Sequence, residues 1–134
     1  MTLTLELLPT SLAVCKLHPD SPIPDWAQSD ILLSFTRTPE ELSIVCDNTL
    51  VPENITAERG WRALKVQGPL DFSLIGILSG VTTVLAEVSI SVFAFSTYNT
   101  DYVLLHEQNL DRGMKALIRA GYFITQPQIS GETK

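Results

Sequence analysis

Residues 72–88 read FSLIGILSGVTTVLAEV, and their hydrophobic side chains recur at the spacing of an α-helix. Apolar residues stand at positions 74, 77, 78, 81, 84, 85 and 88, which places them on one face over four turns. Asp71 stands before the stretch where an N-cap is expected, because its carboxylate can accept hydrogen bonds from the free amides of the first turn. The stretch therefore predicts an amphipathic helix packed on a sheet.

The segments that follow and precede this helix predict four strands and a second helix. The strands are expected at 61–66, 91–97, 102–106 and 122–125. The second helix fits residues 110–120, because Leu110, Met114 and Leu117 fall on one stripe, and Gly121 is its expected C-cap. The order βαββαβ predicts a ferredoxin-like unit, in which two helices cover one face of a four-stranded antiparallel sheet.

The first 60 residues contain comparable strands but no clear helical periodicity. Strands are expected at 3–8, 12–17, 31–36 and 42–46, with residues 9–11 as a tight connection. Three prolines at positions 19, 22 and 24 predict an irregular excursion, because each removes a backbone donor and restrains its predecessor. Trp26 is expected to anchor this excursion on the sheet.

A polar stretch, residues 47–60, ends in Gly60 and marks the expected internal boundary. We predict an α+β protein of two halves. Residues 1–60 form a helix-poor half that is mostly strand, and residues 61–134 form the βαββαβ half. The first half has the character of a degenerate version of the second, although no direct residue repeat connects them.

Composition limits the classes of function. The chain has 134 residues, of which 45% are hydrophobic and 18% charged, so it has enough apolar material for a core. Nine basic and fifteen acidic residues give a net charge of -6, which disfavours nucleic acid and anionic membrane surfaces as partners. No apolar run reaches the roughly 18 to 20 residues that span a bilayer, and no signal peptide is recognisable, so we expect a cytoplasmic protein.

The residues that usually carry chemistry form no recognisable motif. Cys15 and Cys46 lie in apolar, strand-like surroundings and are interpreted as buried thiols. His18 and His106 show no ligand spacing with each other or with a cysteine, so no metal site is expected. The chain lacks Gly-x-Ser-x-Gly, a Walker loop and a dinucleotide-binding glycine motif. We predict a protein without catalytic residues or a cofactor.

Two glycines inside the predicted helix require an explanation, since glycine in a helix interior costs about 1 kcal/mol relative to alanine. Close packing of Gly76 and Gly80 against a neighbouring strand is one explanation. The other is close approach of a ligand whose carboxylate sits near the free amides of the helix N-terminus. The sequence leaves both open.

Four segments together resemble a known family. Residues 72–76 begin a helix with Phe-Ser-Leu-x-Gly, residues 85–87 read Leu-Ala-Glu before Ile-Ser-Val-Phe, and residues 96–105 read Ser-Thr-x-x-Thr-Asp-Tyr-x-Leu-Leu. This pattern resembles the ACT-type regulatory domain of the CASTOR class, over about residues 57–125. The resemblance implies tandem ACT-like halves. It also implies an amino-acid ligand, because the eukaryotic members bind arginine where ACT units meet.

The resemblance also implies where a ligand would lie. On the strand-to-helix side, where backbone amides would receive its carboxylate, the implied residues are Phe72, Ser73, Gly76 and Ile77. On the facing strands, the implied polar contacts are Ser96, Thr97 and Asp101. Asp101 is available for an ammonium or guanidinium group. An ordinary structural role remains open for two residues, with Asp71 as a helix cap and Asp101 as a turn residue.

These expectations converge on a regulatory module that senses a small molecule, with an amino acid or amino-acid-like effector at an ACT-type interface. Because the sequence carries no accompanying catalytic domain, we expect its output to pass through a regulated protein target or through self-association. A homodimer is the simplest form, since a mean hydropathy of +0.18 leaves apolar surface to cover. The alternative is a ligand-free scaffold or protein-interaction subunit that uses the same fold.

Overall fold

The computed structural model describes residues 3–67 and 76–126, which form seven strands, a short 3-10 helix and two α-helices. The strands are β1 (Thr4–Leu17), β2 (Ser34–Arg37), β3 (Leu42–Asp47), β4 (Thr56–Val66), β5 (Phe93–Ser96), β6 (Asp101–His106) and β7 (Phe123–Thr125). The helices are the 3-10 helix Asn48–Leu50, α1 (Ile77–Glu87) and α2 (Glu107–Arg119). The prediction of an α+β fold with a helix-poor first half is confirmed for the described residues.

The chain divides into two compact units. The smaller unit is Thr10–Trp61, and the larger unit joins Met1–Pro9 to Arg62–Lys134. Strands β1 and β4 contribute residues to each unit. A tandem relationship between halves 1–60 and 61–134 stays a prediction.

The larger unit departs from the expected four-stranded antiparallel sheet at the start of β1. This segment pairs with β7 in parallel, with Thr4 opposite Phe123 and Glu6 opposite Thr125. The strand order continues from β1 to β4, β6 and β5, and the amide of Gln67 at the end of β4 donates to the carbonyl of Thr4. The beginning of the chain thus lies between β7 and β4, which the sequence predicted as part of one four-stranded unit, and its pairing with β7 is parallel.

The tight connection expected at residues 9–11 is wrong, because β1 is continuous over 14 residues. Pro9 falls between the ladder with β7, which ends at Glu6, and the ladder with β3, which begins at Leu12. A proline is tolerated in a strand where its missing N–H is not needed by the neighbouring ladder.

The two helices of the larger unit pack on its sheet through the predicted apolar faces. Val81 and Leu85 of α1 and Leu117 of α2 have no exposed surface and share one core with residues of β1, β4 and β6. A Cβ at Gly113 of α2 would lie 2.7 Å from Cδ1 of Leu105 in β6, so α2 approaches the sheet closely at a residue without a side chain. The helical periodicity is confirmed over 77–87, whereas residues 72–75 lie outside the described residues.

Both helices end in a Schellman motif. At the end of α2, the amides of Gly121 and Tyr122 donate to the carbonyls of Ile118 and Leu117, with Gly121 at φ +108° as predicted for a C-cap glycine. At the end of α1, the amides of Ser89 and Ile90 donate to Ala86 and Leu85 in the same pattern.

The smaller unit is a strand layer with its own core. Its β3 pairs with β1 from Leu12 to Leu17 and with β2, both antiparallel. The core consists of Ala13, Cys15, Ala27, Leu42, Ile44, Cys46 and Val51. Trp26 packs against this core, which confirms its predicted role as an anchor.

Two boundaries in this unit differ from the prediction. The strand expected at 31–36 begins at Ser34, because the hydroxyl of Ser29 accepts from the amides of Ile31 and Leu32 and holds them in a turn. The polar stretch before Gly60 is already strand from Thr56 onward. Its side chains are largely exposed, so polarity there reflects a solvated strand surface.

Candidate functional site

The β5–β6 hairpin brings together two of the predicted site residues. Ser96 lies opposite Asp101 in the ladder, and the Ser96 hydroxyl donates to Oδ1 of Asp101 at 2.5 Å. Ala94 and Val103, two residues further into the same strands, contact the core beneath the helices. Because side chains alternate along a strand, Ser96 and Asp101 lie on the helix-covered face of the sheet, at its end.

The turn between these strands is closed by Thr97 and Thr100. The Thr97 amide donates to the Thr100 carbonyl at 2.8 Å, and the Thr97 hydroxyl lies within hydrogen-bond distance of the amide and the carbonyl of Thr100. Thr97, predicted as a ligand contact, therefore already has bonds within the turn.

Thr100 is the residue that the sequence reasoning missed. Its side chain is 3% exposed, and its hydroxyl donates to the carbonyl of Val66, the last residue of β4. This bond ties the hairpin tip to the strand end from which the chain leads to α1. The sequence contains Thr100 as the second threonine of the Ser-Thr-x-x-Thr-Asp pattern. The pattern marks the residue, but it does not predict which backbone carbonyl the threonine hydroxyl will reach.

The described part of α1 begins at Ile77, with Gly76 as its N-cap. The first helical bond runs from the Gly80 amide to the Gly76 carbonyl, so the amides of residues 77–79 have no acceptor within the helix. No side chain among the described residues caps this end, and the first turn contains no acidic residue. Asp71, predicted as the N-cap, lies outside the described residues, as do Phe72 and Ser73.

The glycine at the N-cap of α1 and the glycine in its first turn are explained by different structural requirements. Gly76 has φ +79°, and no heavy atom of the described chain lies within 4 Å of the Cβ that it lacks. The left-handed backbone conformation therefore accounts for this glycine. At Gly80 a Cβ would lie 2.9 Å from the hydroxyl of Tyr122, so packing accounts for this residue. Ile77 is half-buried and contacts the larger unit's core, which leaves its backbone amide for any ligand.

The opposite face of the same hairpin carries an aromatic cluster that the sequence analysis did not single out. Phe95 stacks on Tyr102 with ring centres 5.5 Å apart, and Phe93 meets Phe95 edge-on at 6.1 Å. All three side chains are half-buried. They stiffen the two strands that hold Ser96 and Asp101.

The two cysteines are buried free thiols of the smaller unit's core. A hydrogen bond between them lowers the pKa of Cys15, and the same bond together with burial raises the pKa of Cys46. No group of three metal-ligating side chains occurs among residues 3–67 and 76–126. In the same segments, no helix is both long and apolar enough to cross a bilayer.

Family models match both units of the chain. A model described as ACT domain matches residues 56–119, which contain α1, α2 and the β5–β6 hairpin. A second model, which describes an N-terminal domain, matches residues 10–54, nearly the span of the smaller unit.

Individual proteins show the same likeness. The chain is 32% identical over 112 residues to the bovine (Bos taurus) protein named cytosolic arginine sensor for mTORC1 subunit 1. The match covers 74% of this chain, which spans about a third, 33%, of that relative. A crystal structure of an Agobacterium tumefaciens protein covers 99% of both chains at 30% identity, with a TM-score of 0.90. The crystal structure of an aspartate kinase from Synechocystis superimposes on this chain with a TM-score of 0.67 at 16% identity. The match covers 96% of this chain and 28% of the kinase, and it reflects a shared fold.

Proposed function

Because residues 56–119 belong to the ACT domain family and the chain is an ACT-like protein of the CASTOR type, we propose that it is a regulatory module that senses a small molecule. The relative of this type that it matches is named for sensing arginine. We extend to this chain the binding of an amino acid or amino-acid-like effector, a cytoplasmic location and a regulated protein target.

The observation that carries this proposal is the Ser96–Asp101 pair at the end of the sheet. Among the described residues, Oδ1 of Asp101 accepts a hydrogen bond from the Ser96 hydroxyl, and Oδ2 has no hydrogen-bond partner. A half-buried carboxylate in this state is suited to a charge-assisted bond with an ammonium or guanidinium group.

The second half of the proposed site is the start of α1. Within the described part of the chain, its first-turn amides have no helical acceptor and no side-chain cap, and an anion near them is favoured by the helix dipole. The proposed assignment places the effector's carboxylate at the amides after Gly76 and its cationic group at Asp101. Phe72 and Ser73 belong to this proposal as predicted contacts, and Thr97 contributes by shaping the turn.

A thermal-shift screen against the twenty amino acids tests the proposal first. A ligand at 100 times its dissociation constant stabilises the protein by about 2.7 kcal/mol, which is a visible shift. If a nucleotide or a metal ion moves the transition and no amino acid does, the amino-acid effector is wrong. If nothing binds, the scaffold or interaction subunit becomes the better interpretation.

Calorimetry on Asp101→Asn tests the assignment of the cationic end. Loss of a hydrogen bond to a charged group should weaken binding by about 1.5 to 3 kcal/mol while the fold is kept. Asp111→Asn is the matched control, because Asp111 is an exposed acid of α2 whose partner is Lys115 at 3.1 Å. Equal affinities for wild type and Asp101→Asn would return Asp101 to a structural role in the hairpin.

A further inference from the structure

The ladder between β1 and β3 brings the two cysteines together. Ala13 lies opposite Cys46 and Cys15 lies opposite Ile44, so the cysteines are diagonal neighbours on one face of the sheet. Both belong to the smaller unit's core, where Cys15 is 2% exposed and Cys46 has no exposed surface. A hydrogen bond joins their thiols. Two residues with no ligand spacing along the chain therefore form a pair of converging sulfur atoms in the fold.

The diagonal arrangement does not favour a disulfide. Diagonal neighbours in an antiparallel pair have Cα atoms about 7 to 8 Å apart, whereas a disulfide needs them within about 7 Å unless the backbone moves. A bridging metal ion lengthens the connection, because two metal–sulfur bonds of about 2.3 Å span more than one sulfur–sulfur bond of about 2.05 Å. The register of the ladder thus fits a metal ion between the sulfurs better than a direct bond.

The surroundings of the two thiols determine which class of metal ion fits. The other side chains of this core are apolar, and no group of three metal-ligating side chains occurs in residues 3–67 and 76–126. Structural zinc almost always takes four protein ligands, so this pair is a poor zinc site. Thiolate ligands select soft ions such as Cu(I). A buried pair of sulfurs in an apolar core therefore fits a soft monovalent cation.

A cationic side chain lies near both sulfurs. Binding of Cu(I) releases both thiol protons to solvent and leaves a bis-thiolate complex with one net negative charge, which is costly to bury alone. Besides the bond between the thiols and their burial, the Arg59 guanidinium acts on both in the direction that lowers their pKa. Hydrogen bonds to the carbonyls of Val51 and Pro52, at 3.3 and 2.7 Å, hold this guanidinium in place. Arg59 can therefore offset the charge of the complex.

We propose that Cys15 and Cys46 form a two-coordinate site for Cu(I), with Arg59 as the compensating cation. The site goes beyond the proposed sensing role, because all three residues belong to the smaller unit and the Ser96–Asp101 pair belongs to the larger one. Since both sulfurs are buried, the ion enters through local opening of the smaller unit, and loading is expected to be slow.

Anaerobic titration of the full chain with Cu(I), in competition with a coloured Cu(I) chelator, tests the site. Wild type should hold one ion per chain, and X-ray absorption should show two sulfur ligands and no nitrogen or oxygen ligand. Cys15→Ala and Cys46→Ala should each weaken binding at least about a hundredfold, because one of the two ligands is lost. Arg59→Gln should weaken it less, about three- to tenfold, because the exposed guanidinium is partly screened by water.

Two control variants match these changes. The double variant Cys46→Ala with Thr36→Cys keeps two thiols but moves one to an exposed position of β2, so it should bind as weakly as Cys46→Ala. Arg37→Gln matches Arg59→Gln, because Arg37 also donates to two backbone carbonyls of the smaller unit, and it should leave the affinity unchanged. Circular dichroism checks that every variant is folded.

Three results would overturn the proposal. The first is a wild type that yields Cu(I) to the chelator as readily as Cys46→Ala does. The second is a loaded protein with nitrogen or oxygen ligands, or with one ion shared by two chains. The third is a Cys15–Cys46 disulfide that forms in the folded protein on mild oxidation with diamide and is detected by mass spectrometry, because the pair would then be a redox pair and not a metal site.

Discussion

The hydroxyl of Thr100 donates a hydrogen bond to the carbonyl of Val66, across 34 residues of sequence and at 2.5 Å. The bond connects the tip of the β5–β6 hairpin to the end of β4, and its donor is almost completely buried. It closes the sheet end at which Ser96 and Asp101 lie. This bond between residues distant in sequence holds the hairpin tip of the candidate site, whereas the Ser96–Asp101 and Thr97–Thr100 bonds are local.

Replacing Thr100 by valine should destabilise the protein by about 1 to 3 kcal/mol, because the buried Val66 carbonyl loses its donor while side-chain volume is kept. Urea unfolding measures the change. Thr125→Val on β7 is the control, since Thr125 is exposed in the same unit, and its effect should stay within about 0.5 kcal/mol. Equal stabilities of Thr100→Val and wild type would contradict a stabilising role for this bond.

Ser89→Gly should stabilise the protein by about 0.5 to 1 kcal/mol. Ser89 has φ +61° in the Schellman motif that ends α1, and a left-handed conformation costs a residue with a Cβ more than it costs glycine. Differential scanning calorimetry should show a higher unfolding temperature. Ser91→Gly at an exposed position with ordinary backbone conformation should not stabilise, and a gain there of the same size would show that the effect is not conformational.

Gly113→Ala should destabilise the protein by about 1 to 3 kcal/mol although alanine favours helix. The new methyl would lie 2.7 Å from Cδ1 of Leu105 and 3.3 Å from methyl carbons of Ile90 and Leu85, all of them buried. Chemical denaturation measures the loss. A stability equal to or above that of wild type would show that the Leu105 side chain can move aside.

A second glycine of the helix layer provides a comparison for this effect. Among the described residues, the Cβ of Gly80→Ala would meet only the Tyr122 hydroxyl, at 2.9 Å, and this atom is the end of a longer side chain. Its cost should therefore be smaller than that of Gly113→Ala. Combining Gly80→Ala with Tyr122→Phe should reduce this cost, because the hydroxyl that the new methyl meets is then absent. If the double variant is no more stable than the two single effects on unfolding free energy predict when added, the contact does not cause the cost.

Stability should fall at alkaline pH partly through Tyr122, because burial raises its pKa in the folded protein above the ordinary value of about 10. A group with a raised folded pKa contributes stability that is complete below the unfolded pKa and is lost as pH rises through the folded pKa. Above about pH 10, wild type should therefore lose stability that Tyr122→Phe keeps, so the unfolding midpoint of the variant should rise relative to that of wild type.

Tyr98→Phe is the control for this titration, because the Tyr98 side chain is 81% exposed. Its midpoint should follow that of wild type through the same pH range. If Tyr122→Phe and wild type lose stability equally as pH rises, ionisation of the buried Tyr122 hydroxyl does not contribute to the loss of stability at alkaline pH.

Sequence alone predicted the elements whose signal is local. The apolar spacing in α1 and α2, Gly121 as a C-cap and the strands of the hairpin follow from periodicity and backbone preference, which act within a few residues. The ligand site implied by the resemblance at 72–76 and 96–105 stays a prediction, and the structure shows that the hairpin brings Ser96 and Asp101 together as neighbours in a ladder. Adjacent antiparallel strands make such a contact predictable from one turn.

Only the tertiary structure decided which distant segments meet. Nothing in residues 3–17 indicates that one continuous strand pairs with β7 at its start and with β3 at its end, because strand pairing depends on partners far along the chain. The same holds for Thr100 and Val66, and for the contact that excludes a side chain at Gly113. Periodicity states which face of an element is apolar, whereas the atom that a hydroxyl reaches or a methyl would strike depends on the packed fold as a whole.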